Sequence, residues 1–320
     1  MWTKRFINPN LVQKSEMKIL KKIVLTFLGV LVLAIISGYI YFDQKFTPEK
    51  NYLTVEKESG KIPITWPGEN KNVLLLPVHF SGDSTVYYLQ FDTGSPYTLF
   101  YAGAIKNIKG IATSNERGKA TFYLGNTTVT SDKFRIIDNG ESSDKNDSLK
   151  IIGTLGADIL EDRKTVISFK ENYIVFNLAG IPDGFGKNLT DFTFKKRHII
   201  IPALLKGNKE KFMYDSGTSA YELLTTKEIW EGLKSKDSEI VTEKANSWQN
   251  VLTTYTAKTD NLIKIGSKNI PLNNVTYVEG FSQAQYSMMK FSGMTGMLGN
   301  QIFMNNSLYI DCLNHKLGVD

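Results

Sequence analysis

Two short stretches decide the fold: FDTGS at residues 91–95 and YDSGTS at residues 214–219. Each places an aromatic residue, an aspartate, a hydroxyl residue and a glycine in the same order. A lone Asp-Thr/Ser-Gly triplet is an ordinary turn signal, because aspartate readily accepts hydrogen bonds from backbone N–H groups just downstream. Two copies at matching places in a longer repeat carry more weight. Upstream, LLLPVHF (74–80) is echoed by IIIPALL (199–205). Downstream, GTLGADIL (153–160) is echoed by GMLGNQIF (296–303), and strand-like runs follow, TVISF (165–169) and LYIDC (308–312). The chain therefore holds two copies of one order of elements.

Between these landmarks, β-branched and aromatic runs alternate with Gly, Asn, Asp and Ser clusters, the pattern of an antiparallel β protein. One stretch, TTKEIWEGLKS (225–235), reads as a short amphipathic helix. The expected architecture is mainly β: two similar β-barrel-like lobes with a cleft between them. An N-terminal lobe spans 71–180, a linker 181–196 and a C-terminal lobe 197–320. A polar stalk is expected over 43–70.

The N-terminal region has a different character. Residues 23–42, IVLTFLGVLVLAIISGYIYF, contain no charged side chain and are long enough to cross a bilayer as a helix. Lys4, Arg5, Lys14, Lys18, Lys21 and Lys22 precede this run against one acid, Glu16, and Asp43 follows it. That asymmetry predicts a single-pass signal anchor with a cytoplasmic basic segment (1–22) and lobes on the far side of the membrane. The competing reading is a cleaved signal peptide, which would leave the lobes secreted.

Composition narrows the function classes. The 320 residues carry a net charge of +6, spread as single lysines without a recognition motif, so no nucleic-acid partner is expected. Cys312 is the sole cysteine, so no internal disulfide exists and the fold rests on its core. His79, His198 and His315 lack ligand-type spacing, and neither a metal nor a cofactor is expected.

The paired aspartates suggest the chemistry. Peptide hydrolysis without a metal or a protein nucleophile needs a water set between an acid and a base. Two carboxyl groups held together cannot both ionise, so one proton serves the pair. One carboxylate takes a proton from the attacking water while its protonated partner donates to the carbonyl oxygen. Gly94 and Gly217 permit a tight turn beside the carboxylates, and Thr93 and Ser216 offer hydroxyls for hydrogen bonds across the lobe junction.

FDTGS and YDSGTS resemble the paired active-site motifs of the pepsin-like, bilobal aspartic peptidases. GTLGADIL and GMLGNQIF resemble the hydrophobic-hydrophobic-Gly strands that pass beside each catalytic loop in that family. The similarity runs from about residue 70 to 320 and looks closer to compact, membrane-anchored bacterial members than to digestive enzymes. It implies Asp92 and Asp215 as the catalytic dyad and Thr93 and Ser216 as an inter-lobe grip. Ser95 and Thr218 become outer hydroxyl donors to the carboxylates, and an activity optimum below neutral pH follows from them. A flap hairpin is implied between Asp92 and Gly153; Tyr123, in KATFYLGN, is the nearest candidate, with a plain strand role open beside it. The implied partner is a peptide or unfolded protein, cut as an endopeptidase substrate. A catalytically silent peptide-binding protein of the same fold is the alternative. A single-lobe protease that dimerises is disfavoured, because both motifs lie in one chain and no partner chain is required. The chain departs from the family in lacking disulfides and in the run PYTLF (96–100) after the first motif.

Overall fold

The computed structural model describes residues 9–138, 149–186, 188–247, 250–280 and 293–320. It falls into two units, 1–49 and 50–320. The first is a single helix, Pro9–Lys45. Its stretch Val24–Lys45 has a mean hydropathy of 2.3, long and apolar enough to cross a membrane. Residues 1–8 of the expected basic segment lie outside the described residues.

The second unit is built of β-strands in three sheets. In the first lobe, Leu75–Phe80 pairs antiparallel with Tyr87–Phe91, which leads into Asp92. Ile151–Leu155 then inserts between Tyr87–Phe91, to which it is parallel, and Leu99–Tyr101, to which it is antiparallel. Thr127–Ile137 and Arg117–Leu124 complete a closed ring of six strands. The second lobe repeats this. Asn208–Tyr214 leads into Asp215, and Gly296–Leu298 inserts beside it in parallel. The ring closes where His198–Leu205 meets Asn250–Ile265.

Alternation explains why these segments are strands. Arg117–Leu124 buries every second residue, with Gly118, Ala120, Phe122 and Leu124 inward. Phe100, Phe122 and Phe134 pack together at centroid separations of 5.1 to 6.2 Å and fill the first barrel. The helix expected near 225–235 forms over Lys227–Leu233, with Thr226 as its N-cap accepting from Ile229 N–H.

A third sheet joins the lobes. Lys164–Ser168 of the first repeat pairs antiparallel with Ser307–Asp311 of the second, from Lys164 opposite Asp311 to Ser168 opposite Ser307. The closing hairpin of each repeat thus leaves its own barrel to form a shared base, which corrects the boundaries 71–180 and 197–320. Two further corrections follow. The supposed stalk 43–70 contributes Thr54–Glu56 to the edge of the first lobe and Ile62–Pro63 to the shared sheet, with Ile62 and Ile64 buried. The supposed linker 181–196 contributes Leu189–Asp191 to that sheet and Thr193–Lys195 to the second lobe, and buries Phe185 and Phe192. Cys312 is buried in the core, where desolvation pushes its thiol pKa upward.

Candidate active site

Each aspartate sits at the end of a core strand and is held by the strand inserted beside it. Asp92 N–H donates to Leu155 O at 3.0 Å, and Asp215 N–H donates to Leu298 O at 2.9 Å. The GTLG and GMLG segments pass behind the two loops because only glycine fits there. A Cβ on Gly156 would overlap the Tyr97 backbone, and one on Gly299 would overlap the Thr218 and Tyr221 carbonyls. The loops turn by the Asx geometry of their own aspartates. Asp92 Oδ1 accepts from Gly94 N–H at 2.9 Å and Ser95 N–H at 3.1 Å, while Asp215 Oδ1 accepts from Gly217 N–H at 2.8 Å. One oxygen of each carboxylate builds the turn, and the other is left for chemistry.

The two loops face each other. The Asp92 and Asp215 carboxyl groups lie near enough for each to shift the other's ionisation. A Cβ on Gly94 would lie 2.7 Å from Asp215 Oδ1, and one on Gly217 would lie 2.5 Å from Asp92 Oδ1. Each glycine is therefore the floor under the opposite carboxylate. Behind them, Thr93 and Ser216 lock the loops with four buried hydrogen bonds. Thr93 N–H donates to Ser216 Oγ at 2.9 Å and Ser216 N–H donates to Thr93 Oγ1 at 3.0 Å. Thr93 Oγ1 in turn donates to Tyr214 O at 3.1 Å and Ser216 Oγ to Phe91 O at 2.9 Å.

Electrostatics separate the two carboxyls. Burial, and after it the charge of Asp92, pushes Asp215 up to about 7. Burial also raises Asp92, but donation from the Gly94 and Ser95 N–H groups works against the rise. The N–H groups of Gly94 and Ser95 favour the ionised form of Asp92, and the charge of Asp92 favours the protonated form of Asp215.

The expected outer donors behave differently. Ser95 Oγ donates to Tyr97 O at 2.9 Å and Thr218 Oγ1 to Asp215 O at 2.9 Å, so neither hydroxyl serves a carboxylate. The backbone N–H of Ser95 does that work instead. This removes the argument from hydroxyl donors for an optimum below neutral pH. Tyr123 also stands apart: it pairs with His79 and Thr128 near the Gly125-Asn126 turn, at the opposite end of its strand from the hairpin tip Asn115-Glu116.

Several residues that sequence reasoning passed over support the site. Asp158, inside GADIL, is buried and accepts from Thr98 N–H and Thr98 Oγ1, both at 2.7 Å, fixing the chain just after the first loop. Burial pushes its carboxyl up to about 6. Asn300 does the matching task in the second lobe, accepting from the Tyr214 hydroxyl at 2.8 Å and donating to Ser219 Oγ at 2.5 Å. Arg197, from the turn after the supposed linker, is buried; it donates to Pro96 O at 3.1 Å and pairs with Glu161 at 3.0 Å. It thereby ties the second lobe to the loop that carries Asp92. The dyad opens into a cleft of about 470 Å³ lined also by Tyr97, Leu99, Arg135, Ile137 and Met213.

No protein-family model matches the sequence, and no curated protein matches it. Solved structures do. One is the crystal structure of the aspartic proteinase from Irpex lacteus, at 13% identity and a TM-score of 0.50, covering 82% of this chain and 97% of that one. With two six-stranded barrels, a shared sheet and facing Asp-Thr/Ser-Gly loops, the chain has the bilobal fold of the pepsin-like aspartic proteinases.

Proposed function

We propose that the chain is an aspartic endopeptidase, anchored to a membrane by its N-terminal helix, that cuts extended peptides in the cleft between its lobes. The observation that carries this reading is the facing of the two aspartate loops, each glycine against the opposite carboxyl, with both aspartates lining one open cleft. Two carboxyls in contact, one protonated and one ionised, supply an acid and a base to the same water. Asp92 takes a proton from the water as its oxygen attacks the scissile carbonyl carbon. Asp215 donates its proton to the carbonyl oxygen, giving a tetrahedral diol. That diol collapses with cleavage of the C–N bond as the amine leaves protonated.

The anchoring reading rests on the helix itself. Its apolar side chains lie exposed, including Leu25 at 74% and Phe27 at 68%, an arrangement that water penalises and hydrocarbon does not. The lysines before it and Asp43 after it support a cytoplasmic N-terminus.

The test is digestion of a denatured protein by the detergent-solubilised chain, with and without a statine-type peptide whose hydroxyl imitates the tetrahedral intermediate. The expected result is cleavage that the statine peptide blocks. Tight statine binding without any cleavage would favour the silent peptide-binding protein, and neither cleavage nor binding would overturn both readings.

A further inference from the structure

The internal repeat allows the two walls of the cleft to be compared position by position. In the first lobe, Gln90 lies in register with Thr154, and Thr154 with Leu99. Residues in register across a sheet point to the same face, and Leu99 lines the cleft. In the second lobe, Met213 lies in register with Met297, and Met297 with Leu224. Met213 lines the cleft. Gln90 and Met213 each stand two residues before their aspartate, and Thr154 and Met297 each sit second in the inserted Gly-x-Leu-Gly strand. The first wall thus carries an amide and a hydroxyl where the second carries two thioethers. Tyr101 extends the polar wall, because it lies two residues beyond Leu99 on the same face. Its ring packs against the core and its hydroxyl meets Thr154 Oγ1 at 3.1 Å. Burial raises the Tyr101 pKa and the Asp92 charge adds to the rise, so the hydroxyl stays protonated beside the dyad. One hydroxyl proton serves the Tyr101–Thr154 bond and the other is left over. The Gln90 side chain is half-buried, with no hydrogen-bond partner among the described residues.

We infer that the cleft reads its peptide asymmetrically: the Asp92-side wall takes an amide or hydroxyl side chain, held by Gln90, Thr154 and Tyr101, and the Asp215-side wall takes a long apolar one, held by Met213 and Met297. The inference deepens the peptidase reading above and rests on it. The contacts between the loops are reciprocal, Thr93 with Ser216 and each glycine with the opposite carboxyl, as a half-turn through the dyad requires. That half-turn exchanges the two walls, so they meet side chains on opposite sides of the scissile bond. A wall that hydrogen-bonds its guest rejects an apolar isostere, because its own polar groups lose water without gaining a partner. The thioether wall discriminates the other way. An amide laid against Met213 and Met297 gives up water for no hydrogen bond, while the flexible methionines shape themselves to an apolar guest.

The experiment uses twin peptides that differ only by Gln or Met, side chains of like length, with that position stepped across the scissile bond. Two quantities are read on the full-length chain: the Gln/Met ratio of kcat/KM, and the Gln/Met ratio of binding to the Asp92→Asn protein by fluorescence anisotropy. The expected result is two positions of opposite sign, one on each side of the scissile bond. Gln is favoured about 10-fold at one and Met about 10-fold at the other, the worth of one hydrogen bond or one buried methylene. Gln90→Met weakens the Gln preference, and adding Thr154→Val and Tyr101→Phe brings that ratio to one or below while the Met preference stays. Met213→Gln does the reverse, so each wall is tested without altering the other. A substitution that merely loosens the fold lowers both twins alike and leaves the ratios where they were. Met favoured on both sides, no preference on either, or a Gln preference that survives all three first-lobe substitutions overturns the inference and leaves the peptidase standing. Opposite preferences in binding with no cleavage of any peptide keep the two walls and sink the peptidase.

Discussion

Asp92→Asn and Asp215→Asn each abolish peptide cleavage while the protein still folds. The geometry explains both halves of this expectation. Asp92 Oδ1 takes both turn-forming N–H groups and Asp215 Oδ1 takes one, so an asparagine keeps each turn with its single oxygen. Its amide nitrogen then faces the other carboxyl. The chemistry does not survive, because base and acid are one coupled unit: an amide can neither accept the proton of the attacking water nor donate one to the carbonyl. General acid–base catalysis contributes roughly 10²–10⁴-fold per step. Losing both roles together takes kcat down by about 10⁴-fold in either variant. Stability moves the other way with pH. The folded pKa of Asp215 lies above its unfolded value, so its favourable contribution is present below about pH 4 and is lost as pH rises through about 7. The Asp215→Asn protein therefore melts above the parent at pH 8, and the gap closes in acid. Thermal melts from pH 4 to 8 beside kcat measurements check both statements; equal activity in parent and variants removes the dyad.

The second large effect belongs to Thr93 and Ser216, the two residues that bind one lobe's loop to the other. Thr93→Val keeps the shape and deletes the hydroxyl, leaving Ser216 N–H and Tyr214 C=O buried without partners. Ser216→Ala does the same to Thr93 N–H and Phe91 C=O. A buried group left unsatisfied costs about 1–3 kcal/mol, so each variant, with two such groups, loses about 2–6 kcal/mol. The double variant loses less than the sum, because the two halves of the lock hold the same pair of loops. Activity falls with stability: a displacement of about 1 Å between the carboxyls costs on the order of 100-fold. Thr93→Ser retains the hydroxyl and restores both. Urea unfolding and kcat/KM on the same samples decide the matter; a Thr93→Val protein within about 0.5 kcal/mol of the parent and fully active contradicts the grip.

What the sequence disclosed, and what it hid, divides along physical lines. Asp92, Asp215 and their glycines were legible because each loop needs the same turn, the same close approach and the same strand behind it, so the motif appears twice. Thr93 and Ser216 were legible for the same reason. Ser95 and Thr218 were misjudged because a hydroxyl next to a tight turn has nearer acceptors, Tyr97 O and Asp215 O, than the carboxylate. Thr54–Glu56, Ile62–Pro63 and Leu189–Asp191 are too short to announce themselves, and exist as strands because of partners more than 70 residues away in the chain. Arg197 carried no signal of its own in the sequence. Only the closing of the second barrel brings it to Glu161 and Pro96. Asp158 stood in plain view within GADIL, but the glycines around it drew the reading, and its partner Thr98 lies 60 residues upstream.

Carboxyl-carbon NMR of ¹³C-labelled aspartate, titrated from pH 3 to 9 and assigned with the two asparagine variants, asks most directly whether one proton is shared. The predicted spectrum shows one dyad carboxyl titrating near pH 7, with kcat declining as pH rises through that value. In the Asp92→Asn protein that carboxyl titrates lower, because the neighbouring charge is gone. Two carboxyls titrating independently near pH 4, each indifferent to the loss of the other, would contradict the account.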